Sequence, residues 1–149
     1  MTTAWENYHR RAAMMRRIQQ RIEQSPTGDL PWDATIAQVF ADREDLLIAL
    51  HQVWSNRLAA QVELALETDC ESVTESVVRA RRDLGYRFPG LRRILDSYAD
   101  DPALTHFERV EHRLLAVAAG LATLDDPMLE AAAAGARLAD MAAAAVPAA

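Results

Sequence analysis

The chain contains no lysine, so all 16 of its cationic side chains are arginines, and its 149 residues include one cysteine, five glycines and six prolines. Each shortage excludes something. Cys70 alone cannot close an internal disulfide, and one thiolate is too few for a structural zinc site, so a reducing cytoplasm is the expected setting. The scattered glycines leave neither a glycine-rich phosphate loop nor a Gly-x-Ser-x-Gly elbow, and no Cys-His signature surrounds Cys70, which reads as a small, half-buried residue. No catalytic residue and no cofactor is therefore expected. No 18 apolar residues run together without charge, and no apolar run follows a basic N-terminal region, so neither a membrane span nor an export signal is expected.

Alanine is what the chain has in excess, with 29 copies. Half of the residues are hydrophobic, but with so much alanine the apolar character favours helix more than bulk, and strand-like alternation is missing. The expectation is an all-α fold, a single-domain bundle of about six helices spanning 1–149. Arginine without lysine, beside this much alanine, is the composition of a chain from a GC-rich bacterial genome. The formal charge of −6 gives no whole-molecule attraction to nucleic acid or anionic membrane. Residues 1–24 carry five arginines against Glu6 and Glu23, a local +3.

Hydrophobic spacing predicts a first helix over 3–24, with Trp5, Tyr8, Ala12, Met15, Ile18 and Ile22 along one face and arginines on the other. Pro26, Gly28 and Pro31 break it, and 32–39 has room for about two further turns. Asp42 is placed to cap a second long helix running to about Glu67, with Leu46, Leu47, Leu50, Trp54, Leu58, Val62, Ala65 and Leu66 buried. Ser72-Val73-Thr74-Glu75 is a capping-box pattern opening a third helix that fades at Gly85. Pro89 begins a shorter fourth. Asp101-Pro102 and Asp126-Pro127 repeat one cap-then-proline device, opening a fifth helix over about 102–123 and an alanine-rich sixth that frays before Pro147.

The run Val39-Phe40-Ala41-Asp42-Arg43-Glu44-Asp45-Leu46 resembles the motif that follows the DNA-reading helix in TetR/AcrR-type transcriptional regulators, matching at Phe40, Asp42, Arg43, Glu44 and Leu46. Phe88-Pro89-Gly90-Leu91-Arg92-Arg93-Ile94-Leu95 with Asp100-Asp101-Pro102 resembles a junction in the sensor half of such proteins. The resemblance implies residues 1–39 as what remains of an N-terminal reader and 40–149 as a sensor-like helical body. The family's Gly-aromatic-x-Ala-Thr segment corresponds to Gly28-Asp29-Leu30-Pro31-Trp32-Asp33-Ala34-Thr35, and only Ile36 to Val39 then precede Phe40. That is too short for a turn and a recognition helix, and 25–39 holds two prolines and no basic residue.

Several residue groups admit two readings. Trp32, Phe40, Trp54, Phe88 and Phe107 either pack the core or line a ligand pocket for an apolar effector, as in aromatic-rich sensors. Arg10, Arg11, Arg16, Arg17 and Arg21 form a solvated helix face, or in the alternative reading Arg10, Arg16, Arg17 and Arg21 contact DNA. Glu108 and His112 are an i,i+4 pair expected to form a surface ion pair, two ligands being too few for a metal; no metal is expected, and His9 and His51 show no partner. Leu114, Ala118 and Leu121, with Leu138 and Met141 of the sixth helix, are candidates for a two-fold dimer interface, the arrangement implied by the resemblance. The sequence thus suggests a non-enzymatic, homodimeric regulatory or interaction protein lacking a recognition helix, binding a protein partner or a small apolar ligand. The alternative is a DNA-binding regulator with a divergent N-terminal reader.

Overall fold

The computed structural model describes residues 3–68 and 72–144, and Cys70 and the expected fraying before Pro147 lie outside the described residues. Six α-helices are present: α1 (Ala4–Gln24), α2 (Arg43–Thr68), α3 (Val73–Arg87), α4 (Pro89–Ser97), α5 (Pro102–Ala118) and α6 (Met128–Ala144). Among the described residues there is no strand, and the helices form one bundle around a continuous apolar core.

Helix starts follow local chemistry. Thr3 and Glu6 make a reciprocal capping box on α1, satisfying two otherwise orphaned N–H groups. Asp42 accepts from the Asp45 N–H at 2.8 Å and so caps α2. Ser72 accepts from the Glu75 N–H, and Asp101 from the Ala103 N–H one residue past Pro102. The second cap-then-proline device works differently, because the Asp126 carboxylate accepts from the Thr123 N–H in the loop before α6.

Three boundaries depart from the sequence expectation. Residues 32–39 hold a single 3-10 turn, Ile36–Gln38, whose first N–H donates to the Asp33 side chain; no second helix lies between α1 and α2. α3 runs through Gly85 to Arg87 and stops at Phe88, since the residue before Pro89 is pushed away from helical geometry. α5 ends at Ala118 rather than about 123. Gly120 takes φ +73, and the Gly120 N–H to Val117 O and Leu121 N–H to Ala116 O bonds complete a Schellman motif.

α2 is the central helix. Its stripe of Leu46, Leu47, Leu50, Trp54, Leu58 and Val62 is buried, and it contacts α3, α4 and α5. Each fully buried leucine contributes roughly 1.5–3 kcal/mol relative to exposure. Leu66, expected inside, is exposed, and Trp5 and Tyr8 are exposed because α1 joins the core only through its second half at Ile18 and Ile22. α1 rests on α4, and the Glu23 carboxylate accepts from the Gly90 and Leu91 N–H groups, capping that helix from outside. α5 and α6 form the most extensive helix pair. Among the described residues no helix is long and apolar enough to cross a membrane.

Candidate functional site

Three polar side chains sit on stripes that are otherwise apolar. His51 follows Leu47 by four residues and precedes Trp54 by three on α2, Arg81 lies between Val77 and Leu84 on α3, and Glu111 precedes Leu115 by four on α5. The helical period therefore turns all three inward. They converge: the Glu111 Oε2 accepts from the Arg81 Nε at 3.3 Å, and the Glu111 Oε1 lies 3.6 Å from the His51 Nε2. Side-chain exposures of 3% for His51, 4% for Glu111 and 11% for Arg81 make this a desolvated cluster. Such a cluster costs stability unless its members stay paired.

His51 is held on its other side by the Ser55 hydroxyl, 3.2 Å from Nδ1. With Nε2 facing a carboxylate, Nε2 carries the proton and Nδ1 accepts from Ser55. This hydroxyl, imidazole and carboxylate series orients the ring, and Ser55 does not line the adjoining cavity. Beneath the cluster lies the buried Trp54, with the Arg92 guanidinium 4.5 Å and the Arg81 guanidinium 5.8 Å from its ring centroid. Arg92 donates through Nε to Asp96 at 2.9 Å.

Beside the cluster is a cavity of about 590 Å³ walled by α3, α4, α5 and α6, a volume within the range of small-molecule sites. Its polar lining includes His51, Arg81, Arg92, Glu108, Glu111 and His112, and alanines of α6 form its apolar side. Burial pushes the His51 and His112 imidazoles below their ordinary range, with Glu111 opposing in both cases. Glu108 is pushed up to about 7, chiefly by burial and then by the neighbouring Glu111. The wall therefore offers a carboxyl poised to exchange a proton near neutrality. Tyr86 supplies the only hydroxyl among its lining residues. The described residues hold no group of three or more His, Cys, Asp or Glu able to bind a metal ion.

The raised Glu108 carboxyl has a pH signature. Its folded value of about 7 exceeds the ordinary 4.5, so within that window the folded protein keeps a proton that the unfolded chain releases. The associated stability is fully present below pH 4.5 and is lost as pH rises through 7. Glu108→Gln should melt above the parent at pH 8, with the difference shrinking toward zero by pH 4.5. Melting curves in matched buffers read this directly. The depressed histidines act in the opposite sense, losing stability as pH falls below 6.5, but they are common to both proteins and cancel in the difference.

The structure redistributes the residues singled out from sequence. Phe40 and Trp54 are fully buried core, Trp32 and Phe88 pack against the core, Phe107 is half-buried, and none of the five lines the cavity. Glu108 and His112 lie in the cavity wall instead of forming a surface pair. Arg10, Arg16, Arg17 and Arg21 are exposed on α1, Arg21 facing Asp33 at 3.4 Å. Arg11 makes a two-pronged pair with Asp45 at 3.1 and 3.0 Å and lies 4.5 Å from the Phe40 ring centre, tying α1 to the start of α2. Leu114, Leu121 and Met141 are exposed and Ala118 is half-buried, whereas Leu138 is buried at 3% by packing within the chain.

The sequence reading missed His51, Arg81 and Arg92, and it gave Glu111 no role as a buried acid. The available signal was a charged or imidazole side chain standing in an apolar register. No family model matches the sequence, and no curated protein and no solved structure matches the chain.

Proposed function

We propose that this chain is a non-enzymatic helical regulatory protein that binds a small molecule in the cavity bounded by α3, α4, α5 and α6. The observation that carries the reading is the ligand-sized cavity set against the desolvated His51, Glu111 and Arg81 cluster. An interior built for stability alone gains little from such a cluster, whereas a binding site uses fixed, preoriented charge to select its ligand. The ligand chemistry is amphipathic rather than purely apolar, because the wall joins ionisable groups to alanine methyls.

The regulatory part of the proposal rests on the likeness of residues 39–46 to the TetR/AcrR motif. It is supported by the single 3-10 turn separating α1 from α2, which leaves a sensing body without a recognition helix. A homodimer through α5 and α6 belongs to the same reading and is supported by the exposed Leu114, Leu121 and Met141. Sedimentation velocity showing only a 16.5 kDa species would remove the dimer.

The experiment is a thermal-shift screen of small metabolites against the parent and an Ala143→Phe variant, Ala143 being an exposed cavity-lining residue. A ligand present at a hundred times its Kd adds about 2.7 kcal/mol to stability, which moves the melting temperature by about 5–10 °C. The phenyl group should abolish that shift. Ligands that stabilise Ala143→Phe as strongly as the parent would place binding elsewhere and sink the proposal.

A further inference from the structure

The described residues leave two buried side-chain nitrogens without a hydrogen-bond partner, the Trp54 Nε1 and the Arg92 Nη1. Trp54 does not line the cavity, but Arg92 does. A buried donor on a charged group is costly to leave unpaired, and native proteins keep few of them. Among the described residues Arg92 makes one hydrogen bond, from Nε to Asp96 at 2.9 Å, and its Cζ stands 4.5 Å from the Trp54 ring centroid. The forked end of the guanidinium therefore has donors to spare and, like every arginine, no acceptor. Nη1 is covered by protein, and a turn of the outer side-chain torsions, held by a hydrogen bond only at Nε, brings it to the cavity.

Glu108 stands in the same wall. Pushed up to about 7, it is divided at neutral pH between an acid that donates and a carboxylate that accepts. Net charge is thus a poor discriminator in this cavity, and hydrogen-bond direction is a better one. A ligand oxygen with free lone pairs satisfies both the Arg92 fork and the protonated Glu108, whereas a group that can only donate meets N–H against N–H at Arg92. Ala139, Ala142 and Ala143 give the rest of the ligand an apolar side. We infer that the cavity holds its ligand by a carbonyl-type oxygen, that of a neutral carbonyl or of a carboxylate, accepting from the terminal N–H groups of Arg92. The inference rests on the cavity being a ligand site and specifies the acceptor that the site requires.

Three probes of similar shape test this: 3-methylindole, which has no oxygen, indole-3-carbaldehyde and indole-3-carboxylate, each titrated calorimetrically into the full chain at pH 7. The aldehyde, the carboxylate or both should bind at least about tenfold more tightly than 3-methylindole, the advantage of a hydrogen bond to a charged donor. Whichever of the two leads identifies a neutral carbonyl or a carboxylate as the anchoring group, and both rankings support the inference. Arg92→Met should bring the oxygen-bearing probes down to the level of 3-methylindole while leaving 3-methylindole itself unchanged, a pattern that loss of folding does not produce. Arg92→Lys, which keeps the charge without the fork, should retain only part of the preference. If Arg92→Met does not fold, the ranking on the parent together with Arg92→Lys decides. Equal binding of all three probes to the parent, a preference that survives undiminished in the Arg92 variants, or binding by none of the probes overturns the acceptor. The cavity reading is decided separately, by whether Ala143→Phe blocks whichever probe binds and by the metabolite screen.

Discussion

Gly135→Ala is expected to lower the melting temperature by about 10 °C, because a single methyl group would force two helix backbones apart. A Cβ placed at Gly135 would lie 1.6 Å from the His112 carbonyl oxygen and 2.3 Å from its carbon. Neither atom can turn aside as a flexible side chain could. α6 must therefore lift away from α5 along the most extensive helix contact in the molecule. Overpacking of this kind costs about 3 kcal/mol or more, which for a chain of this size corresponds to about 6–12 °C.

The control is the same substitution at Gly85. There the nearest atom to an added Cβ is the Arg92 Cγ at 3.7 Å, an ordinary contact, and the residue lies inside α3. Gly85→Ala should raise stability by about 0.5–1 kcal/mol through helix propensity. Calorimetric melting of both variants checks the pair. A Gly135→Ala protein that melts like the parent would show that the helices do not approach as described.

Glu111→Ala is expected to cost about 3–5 kcal/mol, because it strands the Arg81 guanidinium in a desolvated place with its principal partner gone. Burial already pushes the Arg81 side chain below its ordinary value, and Glu111 opposes that push through both charge and hydrogen bond. Removing Arg81 as well reverses the argument. The double variant Arg81→Met with Glu111→Leu should recover most or all of the lost stability, since apolar side chains of similar volume often equal a buried pair. Urea denaturation of the single and double variants gives the coupling. Equal losses in both would mean that the ion pair itself, rather than the stranded charge, sets the effect.

The extent of the fold legible in the sequence follows the range of the forces involved. The caps at Asp42, Ser72 and Asp101 act within three residues, so the chain announces those helix starts locally. The stripe from Leu46 to Val62 is equally plain, because bulky groups recur at helical spacing. Helix ends are less readable. Gly85 looks like a stop but is carried through to the Phe88-Pro89 junction, while Gly120 does end its helix by adopting a left-handed conformation.

The site is the least legible part. His51, Arg81 and Glu111 each break an apolar register, and that much can be seen by counting residues. Their convergence depends on how three helices cross, which no local pattern encodes. The aromatic residues drew attention as pocket candidates because large rings suit both a core and a ligand site. In an alanine-rich chain the core takes them first, and the cavity forms where side chains are short.

The attachment of Glu23 to the start of α4 gives α1 the mechanics of a beam. Its C-terminal end is fixed to a helix that also lines the cavity with Arg92 and Asp96. Twelve residues earlier a second fixing point is provided by Arg11 and Asp45, and Ala4 to Arg10 overhang it with Trp5 and Tyr8 in solvent. At 1.5 Å per residue the inner arm is about 18 Å and the overhang about 10 Å. Between the two points Ile18 and Ile22 press into the core, so α1 is held along its inner arm, whereas the overhang carries Arg10 and the rings of Trp5 and Tyr8 in solvent.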